Sequence, residues 1–253
     1  MTNTLKYFIG NWKMFCDFNS LKIANQISNF SRHCKKKGKK YKVVLCVPHT
    51  LLNYFNEKLK SKFVSIGAQN CHYYQNYGPY TGSINANMIK KVGAKYVILG
   101  HSENRIEGET NHLIKKKIES AINQKLNIIF CIGETAKEKK RGKTFLTIMK
   151  QIKGSISKKY DLNKIIIAYE PVWSIGTGKI PKTLELKKIF KFIKIKFKKT
   201  FKTKKPPVVL YGGSVNPNNI RIFSSISDID GFLIGGASQS SKKFIDIIKN
   251  YYK

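Results

Sequence analysis

Short apolar runs rich in β-branched residues recur along the chain, and a longer segment of helical character follows most of them. Successive positions within these runs are apolar, which is typical of parallel strands buried on both faces. Strands that alternate with helices predict repeated βα units and a parallel sheet. The eight predicted strands are residues 7–9, 42–47, 63–68, 96–99, 127–132, 164–169, 208–211 and 231–234.

The segment Thr183–Phe201 shows the helical period most clearly. Its apolar residues recur with the spacing of one helix face, and they are Leu186, Ile189, Phe190, Ile193 and Phe197. Four lysines lie largely off this stripe, and they are Lys187, Lys188, Lys191 and Lys194. We therefore expect an amphipathic helix with these lysines on its solvated face.

Eight strands fit both a closed barrel and an open doubly wound sheet. Candidate site residues follow predicted strands 1, 4, 6, 7 and 8 and so surround the sheet, whereas an open sheet concentrates them at one switch point. The 253 residues match the length of about 250 that is typical of a (β/α)₈ barrel, and no linker interrupts them. The sequence therefore predicts an α/β protein with one barrel domain over residues 1–253.

Charge is the compositional feature that changes this picture. Lys and Arg number 48 against 14 Asp and Glu, a net charge of +34, which on general grounds suggests nucleic acid or an anionic surface as a partner. The lysines are spread along nearly the whole chain, and Lys, Asn and Ile are over-used together, as AT-rich codons would produce. We interpret the charge as compositional and expect nucleic-acid binding to be at most non-specific. A basic barrel recruited to nucleic acid stays open as an alternative.

The sequence also favours a cytoplasmic location. No apolar run approaches the roughly 18 residues that cross a bilayer, and Lys6 and Lys13 interrupt any signal peptide. The five cysteines stand singly, without a CxxC pair, which argues against a disulfide framework and a structural zinc site. We expect reduced, mostly buried thiols at Cys16, Cys34, Cys46, Cys71 and Cys131.

Glu170 is the first candidate for acid–base chemistry. It follows the predicted strand 164–169 and precedes Pro171, which places it at the C-terminal end of a strand. Partial desolvation under a closing loop would raise the basicity of a carboxylate there and suit it to proton abstraction. A lone glutamate is more often a helix cap or an ion-pair partner, but Trp173 and Gly176-Thr177-Gly178 predict a mobile lid beside this one.

Two basic side chains are candidates to stabilise negative charge on a bound substrate. His101 follows predicted strand 4 at a helix start, where an imidazolium is disfavoured, so we expect a neutral imidazole that donates a hydrogen bond. Lys13 lies just beyond strand 1, beside Asn11, and its ammonium can balance the developing charge. A structural histidine is the alternative for His101, and a single lysine in so basic a chain carries little signal by itself.

Glycine pairs follow two adjacent predicted strands. Gly212-Gly213-Ser214 follows strand 7, and Gly235-Gly236 follows strand 8, where barrels frequently bind phosphate through backbone N–H groups. Glycine lets the backbone approach an anion closely, and a helix N-terminus adds a favourable field. With one more N–H from Gly176 of the lid, the sequence predicts a phosphate site at Gly176, Ser214, Gly235 and Gly236. Either glycine pair alone would be explained by an ordinary turn.

Several of these segments, in their order and spacing, resemble the triosephosphate isomerase family. The most specific is residues 168–179, AYEPVWSIGTGK, which is similar to that family's catalytic base and lid. The other similar segments are residues 10–13, 100–103, 131–134, 211–215 and 235–238. Because they span nearly the whole chain, the resemblance implies the complete TIM barrel of that family.

The resemblance implies an intramolecular aldose–ketose isomerase that interconverts dihydroxyacetone phosphate and D-glyceraldehyde 3-phosphate in glycolysis and gluconeogenesis. It implies Glu170 as the base and His101 as the group that shuttles protons at the substrate oxygens. It further implies that Lys13 and Asn11 stabilise the enediolate, with Glu103 beside them. A lid over residues 171–179 that excludes water is implied as well, without a metal or organic cofactor.

The resemblance also implies a homodimer in which the loop with Tyr80-Thr81-Gly82 inserts at the active site of a second copy. The chain departs from the family pattern here. Ser83 stands in place of a glutamate, Asn104 in place of the first arginine after His-Ser-Glu, and the stretch 105–109 is one residue shorter. In the family that glutamate and arginine pair across the interface, so we expect a somewhat weaker dimer.

Another phosphate-binding barrel, such as an aldolase or an epimerase, is the second enzyme interpretation. Such an enzyme needs a Schiff-base lysine in a strand or metal ligands at the strand ends. The sequence shows neither of these clearly.

Overall fold

Eight parallel strands close into a barrel in the computed structural model, which describes residues 5–36, 40–59 and 61–253. Each strand pairs with its sequence neighbours, and β1 completes the ring by pairing with β8, where Tyr7 lies opposite Gly231. The predicted α/β barrel is thereby confirmed. The strands are β1 Lys6–Asn11, β2 Tyr41–Val47, β3 Val64–Ala68, β4 Tyr96–Leu99, β5 Asn127–Ile132, β6 Ile165–Tyr169, β7 Val208–Tyr211 and β8 Gly231–Ile234.

Helices in the connections cover the outside of the barrel. Within the described residues they are α1 Leu21–Lys36, α2 Leu52–Lys58, α3 Ala86–Lys91, α4 Ser102–Ile106, α5 Asn111–Asn123, α6 Ala136–Lys140, α7 Thr144–Ser155, α8 Thr183–Phe201 and α9 Ser241–Tyr251. Short 3₁₀ turns occur at Val172–Ser174 and Gly236–Gln239, directly after β6 and β8. Both turns lie at the C-terminal ends of the strands.

The side chains of the strands divide between two buried clusters. Alternate residues such as Ile9, Val44 and Ile129 meet one another inside the barrel, while their neighbours in the chain, such as Phe8 and Val43, pack against the helices. Strands that are buried on both faces need apolar residues at successive positions. All eight predicted strands are confirmed for this reason.

The predicted helix 183–201 is confirmed as α8 with the same bounds, and its apolar stripe is buried. Lys187, Lys188 and Lys191 are exposed as expected. The prediction was wrong for Lys194, whose Nζ lies 2.9 Å from Oδ2 of Asp230, just before β8. Lys194 is next to the buried stripe, being four residues after Phe190, and its long side chain reaches the end of the sheet.

The described residues contain no helix that is long and apolar enough to cross a membrane. All five cysteines are free thiols, as expected. Cys46, Cys71 and Cys131 are buried, whereas Cys16 and Cys34 are partly exposed.

Candidate active site

The C-terminal ends of the strands bring the predicted site residues to one mouth of the barrel. A cavity of about 560 Å³ opens there. Its lining includes Asn11, Lys13, His101, Glu170, Gly176, Ser214, Gly235 and Gly236. Glu103 is the one predicted site residue that does not line it, and it contacts Lys13 and His101 from the side. The fold therefore brings the residues predicted from the sequence together around one cavity.

Glu170 is held at the mouth by the ends of three strands. Its side chain is only 3% exposed, and its backbone N–H donates to the Ile132 carbonyl at the end of β5, at 2.7 Å. Gly133 has no room for a side chain, because a Cβ there would overlap the backbone oxygen of Glu170. Gly212, after β7, is equally constrained, since a Cβ would lie 2.6 Å from Cγ of Glu170. Gly133 therefore makes room for the backbone of Glu170, and Gly212 makes room for its side chain.

Glu170 and His101 face each other in this buried corner. Oε1 of Glu170 lies 3.4 Å from Nε2 of His101. Oε2 of Glu170 is buried without a hydrogen-bond partner among the described residues. One carboxylate oxygen is therefore available to accept a proton from a molecule bound in the cavity.

His101 is 4% exposed and caps the short helix α4. Its Nδ1 accepts the backbone N–H of Glu103 at 3.3 Å, so a neutral ring carries its proton on Nε2. Burial by itself lowers the pKa of His101, but the carboxylates of Glu170 and Glu103 outweigh it, and the pKa is raised. This direction is opposite to the one that a helix N-terminus would cause, because α4 is short and two carboxylates lie within 3.5 Å.

The backbone presents Lys13 to the cavity in a left-handed conformation, with φ at 51°, which is unusual for a residue with a Cβ. Its N–H donates to Oδ1 of Asn11 at 3.1 Å, and its carbonyl accepts from Nε2 of Gln69 at 2.9 Å. The same amide of Gln69 donates to the Cys46 carbonyl at the end of β2. Sequence analysis missed Gln69, although a polar residue directly after a buried strand was a usable signal.

An ion pair with Glu103 holds the ammonium group of Lys13 in place. Nζ of Lys13 lies 2.5 Å from Oε1 of Glu103. Arg105 stabilises the same corner from outside, because its guanidinium donates to the carbonyls of Gly100 and Cys131 and to Oδ1 of Asn111. The arginine that the sequence retains after Glu103 therefore ties the ends of β4 and β5 together.

The predicted lid after β6 is anchored at its base. Nε1 of Trp173 donates to Oε1 of Glu134 at 2.9 Å, and the Tyr169 hydroxyl donates to the same carboxylate. Burial raises the pKa of Glu134, although these two hydrogen bonds favour its charged form. Nζ of Lys139 lies 3.6 Å from the centre of the Trp173 ring, a cation–π contact. This explains the segment 131–134, whose glutamate sequence analysis had left without a role.

The tip of the lid forms hydrogen bonds within the lid itself, since the Thr177 hydroxyl donates to the Ser174 carbonyl and the Lys179 carbonyl accepts from Ser174. Residues 176–179 are exposed, and Gly176 and Gly178 have φ of 71° and 75°, which a residue with a side chain rarely adopts. The backbone there can rearrange with little loss of packing. The glycines therefore support the predicted mobility of the lid.

The glycine segments after β7 and β8 form one wall of the cavity. The Ser214 carbonyl accepts from Nδ2 of Asn219, and Oδ1 of Asn216 accepts the N–H groups of Asn218 and Asn219. These bonds fix the loop after β7 in advance of any ligand. A Cβ on Gly236 would meet no atom within 4 Å, so the start of the 3₁₀ turn Gly236–Gln239 opens into free space.

The rim of the cavity carries residues that sequence analysis did not include, among them Asn216, Asn218 and Lys243. No cluster of three or more His, Cys, Asp or Glu side chains that could hold a metal ion occurs in the part of the chain that the structure describes.

Comparison with known proteins gives a consistent family. The family model described as triosephosphate isomerase matches residues 6–251. A triosephosphate isomerase from Dictyoglomus turgidum is 38% identical over 253 residues, which cover 97% of this chain and 99% of the relative. One from Mycoplasmopsis pulmonis is 39% identical over 244 residues and 95% of each chain. The crystal structure of triosephosphate isomerase from Bartonella henselae aligns with a TM-score of 0.88 at 34% identity, over 98% of this chain and 99% of that one.

Proposed function

The chain belongs to the triosephosphate isomerase family, and from this premise we propose that Glu170 and His101 interconvert dihydroxyacetone phosphate and D-glyceraldehyde 3-phosphate. Membership makes the protein an intramolecular isomerase with the TIM barrel fold. The observation that supports the residue assignment is the buried pair at the barrel mouth. Glu170 has one oxygen 3.4 Å from Nε2 of His101 and the other without a partner in the described residues.

In the proposed reaction, Glu170 removes a proton from the carbon next to the substrate carbonyl and returns it to the neighbouring carbon. His101 donates a hydrogen bond from Nε2 to the oxygens on which charge develops. A substrate between the two side chains separates the imidazole from the carboxylate that raises its pKa. Burial, which lowers the pKa, then dominates, and His101 becomes neutral as the reaction requires.

Lys13 and Asn11 supply the electrostatic part of the proposal. The ammonium of Lys13 stabilises the enediolate and the phosphate, and Asn11 fixes the backbone of Lys13 through the bond from its N–H. Glu103 keeps the ammonium beside His101 in the empty site. A bound anion competes with Glu103 for that ammonium, because Glu103 is more than half exposed and its ion pair is screened by water.

The phosphate of the substrate is proposed to bind the backbone N–H groups of Ser214, Gly235 and Gly236. Gly176 adds its N–H when the lid closes and excludes water from the intermediate. Glycine at these positions leaves the cavity side of the backbone open, so a phosphate oxygen can reach the amides. The proposal uses only side chains and backbone amides of this chain.

The proposal also covers the assembly of the protein, its location in the cell and the extent of its domain. We place the protein in the cytoplasm, as one barrel domain over residues 1–253, acting as a homodimer and binding nucleic acid at most non-specifically. Large apolar side chains support a dimer, because Met14 is 92% exposed and Phe15, Phe18 and Tyr77 are also largely exposed. Met14, Phe15 and Phe18 are close in the sequence, and clustered exposed apolar side chains often mark a protein interface.

The test is the rate at which the purified protein converts dihydroxyacetone phosphate into glyceraldehyde 3-phosphate. Glu170→Gln should fold like the wild type and lose about 10²–10⁴ in rate, the usual contribution of a positioned base. Glu119→Gln makes the same chemical change on an exposed face of α5 and should keep full activity. Absence of conversion by the wild type contradicts the function, and near wild-type turnover of Glu170→Gln contradicts the base.

A further inference from the structure

The hydroxyl of Ser174 joins three segments of the active site at one buried point. Ser174 ends the 3₁₀ turn at the base of the lid and is fully buried. Its Oγ donates to the Lys179 carbonyl, at the other end of the lid, at 2.6 Å. It lies 3.1 Å from the Tyr211 hydroxyl at the end of β7, and the Ser214 N–H donates to it at 3.4 Å.

These three bonds use the full capacity of a serine hydroxyl, which has one proton and two lone pairs. Since the proton of Ser174 goes to Lys179, the Tyr211 hydroxyl must be the donor in its bond to Ser174. Burial raises the pKa of Tyr211 to about 12, so Tyr211 keeps that proton at neutral pH. Gly213 makes the arrangement possible, because a Cβ there would overlap the Tyr211 hydroxyl and lie 2.7 Å from Oγ of Ser174.

We propose that Ser174 is a positioning residue that transmits occupancy of the phosphate site at Ser214 to the base of the lid. The inference rests on the proposed phosphate site. In the empty enzyme, Ser174 holds the two ends of the lid together and fastens them to the loop after β7. The Ser214 N–H, which we assign to the phosphate, is then donated to Ser174 instead.

A phosphate oxygen competes for the Ser214 N–H with an advantage. A charged acceptor forms a shorter and stronger hydrogen bond than a neutral hydroxyl, and the bond to Ser174 is long at 3.4 Å. When Ser214 turns to the anion, Ser174 loses one of its three bonds, and the lid base is held less firmly to the β7 loop. The exposed tip at residues 176–179 is then free to move over the ligand.

Hydrogen exchange of the lid amides, measured with and without saturating inorganic phosphate, tests this coupling. In Ser174→Ala without phosphate, amides 175–179 should exchange about two- to tenfold faster, as expected for the loss of a neutral hydrogen bond. Phosphate breaks the bond from the Ser214 N–H in the wild type but has no such bond to break in Ser174→Ala, so the phosphate-dependent change in lid exchange should differ between the two proteins by a similar factor. Ser155→Ala removes another fully buried serine, whose Oγ donates to the Asn111 carbonyl in α5, and should leave lid exchange unchanged.

Tyr211→Phe is the second variant, because it keeps the ring and removes one bond to Ser174. It should change lid exchange in the same direction by a smaller factor, and it decides the matter if Ser174→Ala does not fold. Equal lid exchange in the wild type and these variants, in both conditions, overturns the coupling. Calorimetry separates the two proposals, since a wild type that binds no phosphate overturns the phosphate site itself. Phosphate affinity should rise in Ser174→Ala by up to about twofold, because the weak bond that competes for the Ser214 N–H is absent.

Discussion

The carboxylates of Glu170 and Glu103 act on the pKa of His101. Burial of the imidazole lowers its pKa, but the facing carboxylates raise the pKa by more than burial lowers it. The corner therefore holds a buried imidazole with a raised pKa, whereas the proposed reaction needs this imidazole as a neutral donor. In that proposal, a substrate that lies between Glu170 and His101 separates the imidazole from the carboxylate.

We expect the ring nitrogens of His101 to titrate above the ordinary value of 6.5 in the empty enzyme, as measured by nitrogen NMR. In Glu170→Gln the pKa of His101 should fall, because burial then opposes fewer charges. A raised folded pKa stabilises the fold below the unfolded value of about 6.5, and this contribution is lost as pH rises through the folded value. The pH dependence of unfolding should shrink in Glu170→Gln. An unchanged His101 titration would show that the carboxylate does not control it.

Replacing two glycines at the barrel mouth with alanine should affect kcat and KM in different ways. Gly212→Ala places Cβ 2.6 Å from Cγ of Glu170 and displaces the base, so kcat should fall by about 10² while KM changes little. Gly236→Ala extends into the open cavity, where the phosphate is proposed to bind, so KM should rise more than kcat falls. Steady-state kinetics distinguish the two variants. A Gly212→Ala enzyme with wild-type kcat would contradict the placement of Glu170.

At the scale of elements, an ion pair as well as the buried apolar stripe joins α8 to the sheet. Lys194 pairs with Asp230, and Oδ2 of Asp230 also accepts the N–H of Val209 at the start of β7. Removing the lysine leaves a carboxylate with one cationic partner fewer in a partly buried position.

Lys194→Ala should therefore lower the free energy of unfolding by about 1.5–3 kcal/mol, the range for a hydrogen bond to a charged group. Lys191→Ala, on the exposed side of the same helix, should change it by less than about 0.5 kcal/mol. Urea unfolding of both variants provides the measurement. Equal destabilisation would indicate that the ion pair contributes nothing beyond helix propensity.

The strands were predictable because burial on both faces requires apolar side chains at most positions. Strand residues also point directly to one face or the other, so the length of a side chain does not obscure this pattern. The bounds of β4, β5, β7 and β8 match the predicted ones for this reason. Lys194 was misassigned because a helical period gives the direction of a side chain but not how far it reaches. Long side chains next to a buried stripe are the least predictable part of a helix.

The candidate site likewise has residues that could be predicted from the sequence and contacts that could not. Glu170, His101 and Lys13 lie within two residues of the C-terminal ends of their strands, so the topology of the barrel brings them together. Gln69 and Ser174 act through hydrogen bonds between segments that are distant in the sequence, and although the position of Gln69 after a strand could mark it as a candidate, the sequence does not show its bonding partners. The contacts that position the reactive groups therefore had to be observed in three dimensions.

At the scale of the whole molecule, charge and assembly are connected. Each chain carries +34, so two copies repel each other, most strongly at low ionic strength. The proposed dimer also lacks the ion pair that the family forms across the interface, because Ser83 and Asn104 replace both partners. Loss of both partners leaves no unpaired charge at the interface and is milder than loss of one.

The double variant Ser83→Glu/Asn104→Arg should associate more tightly than the wild type or either single variant, because only the double variant restores both charges. Sedimentation over a range of protein and salt concentrations measures this. Dissociation of the wild type should also decrease as salt screens the repulsion. If all four proteins dissociate alike, the two positions have no part in the interface.

The left-handed backbone of Lys13 sets stability against activity at this position. Its left-handed backbone, at a φ of 51°, costs about 1–2 kcal/mol in a residue with a Cβ, and glycine would adopt the same conformation without that cost. A library screened only for heat resistance would therefore drift toward glycine at this position and lose its ammonium. Thermostability and turnover reward different residues at position 13, so engineering this enzyme for one of them requires an explicit screen for the other.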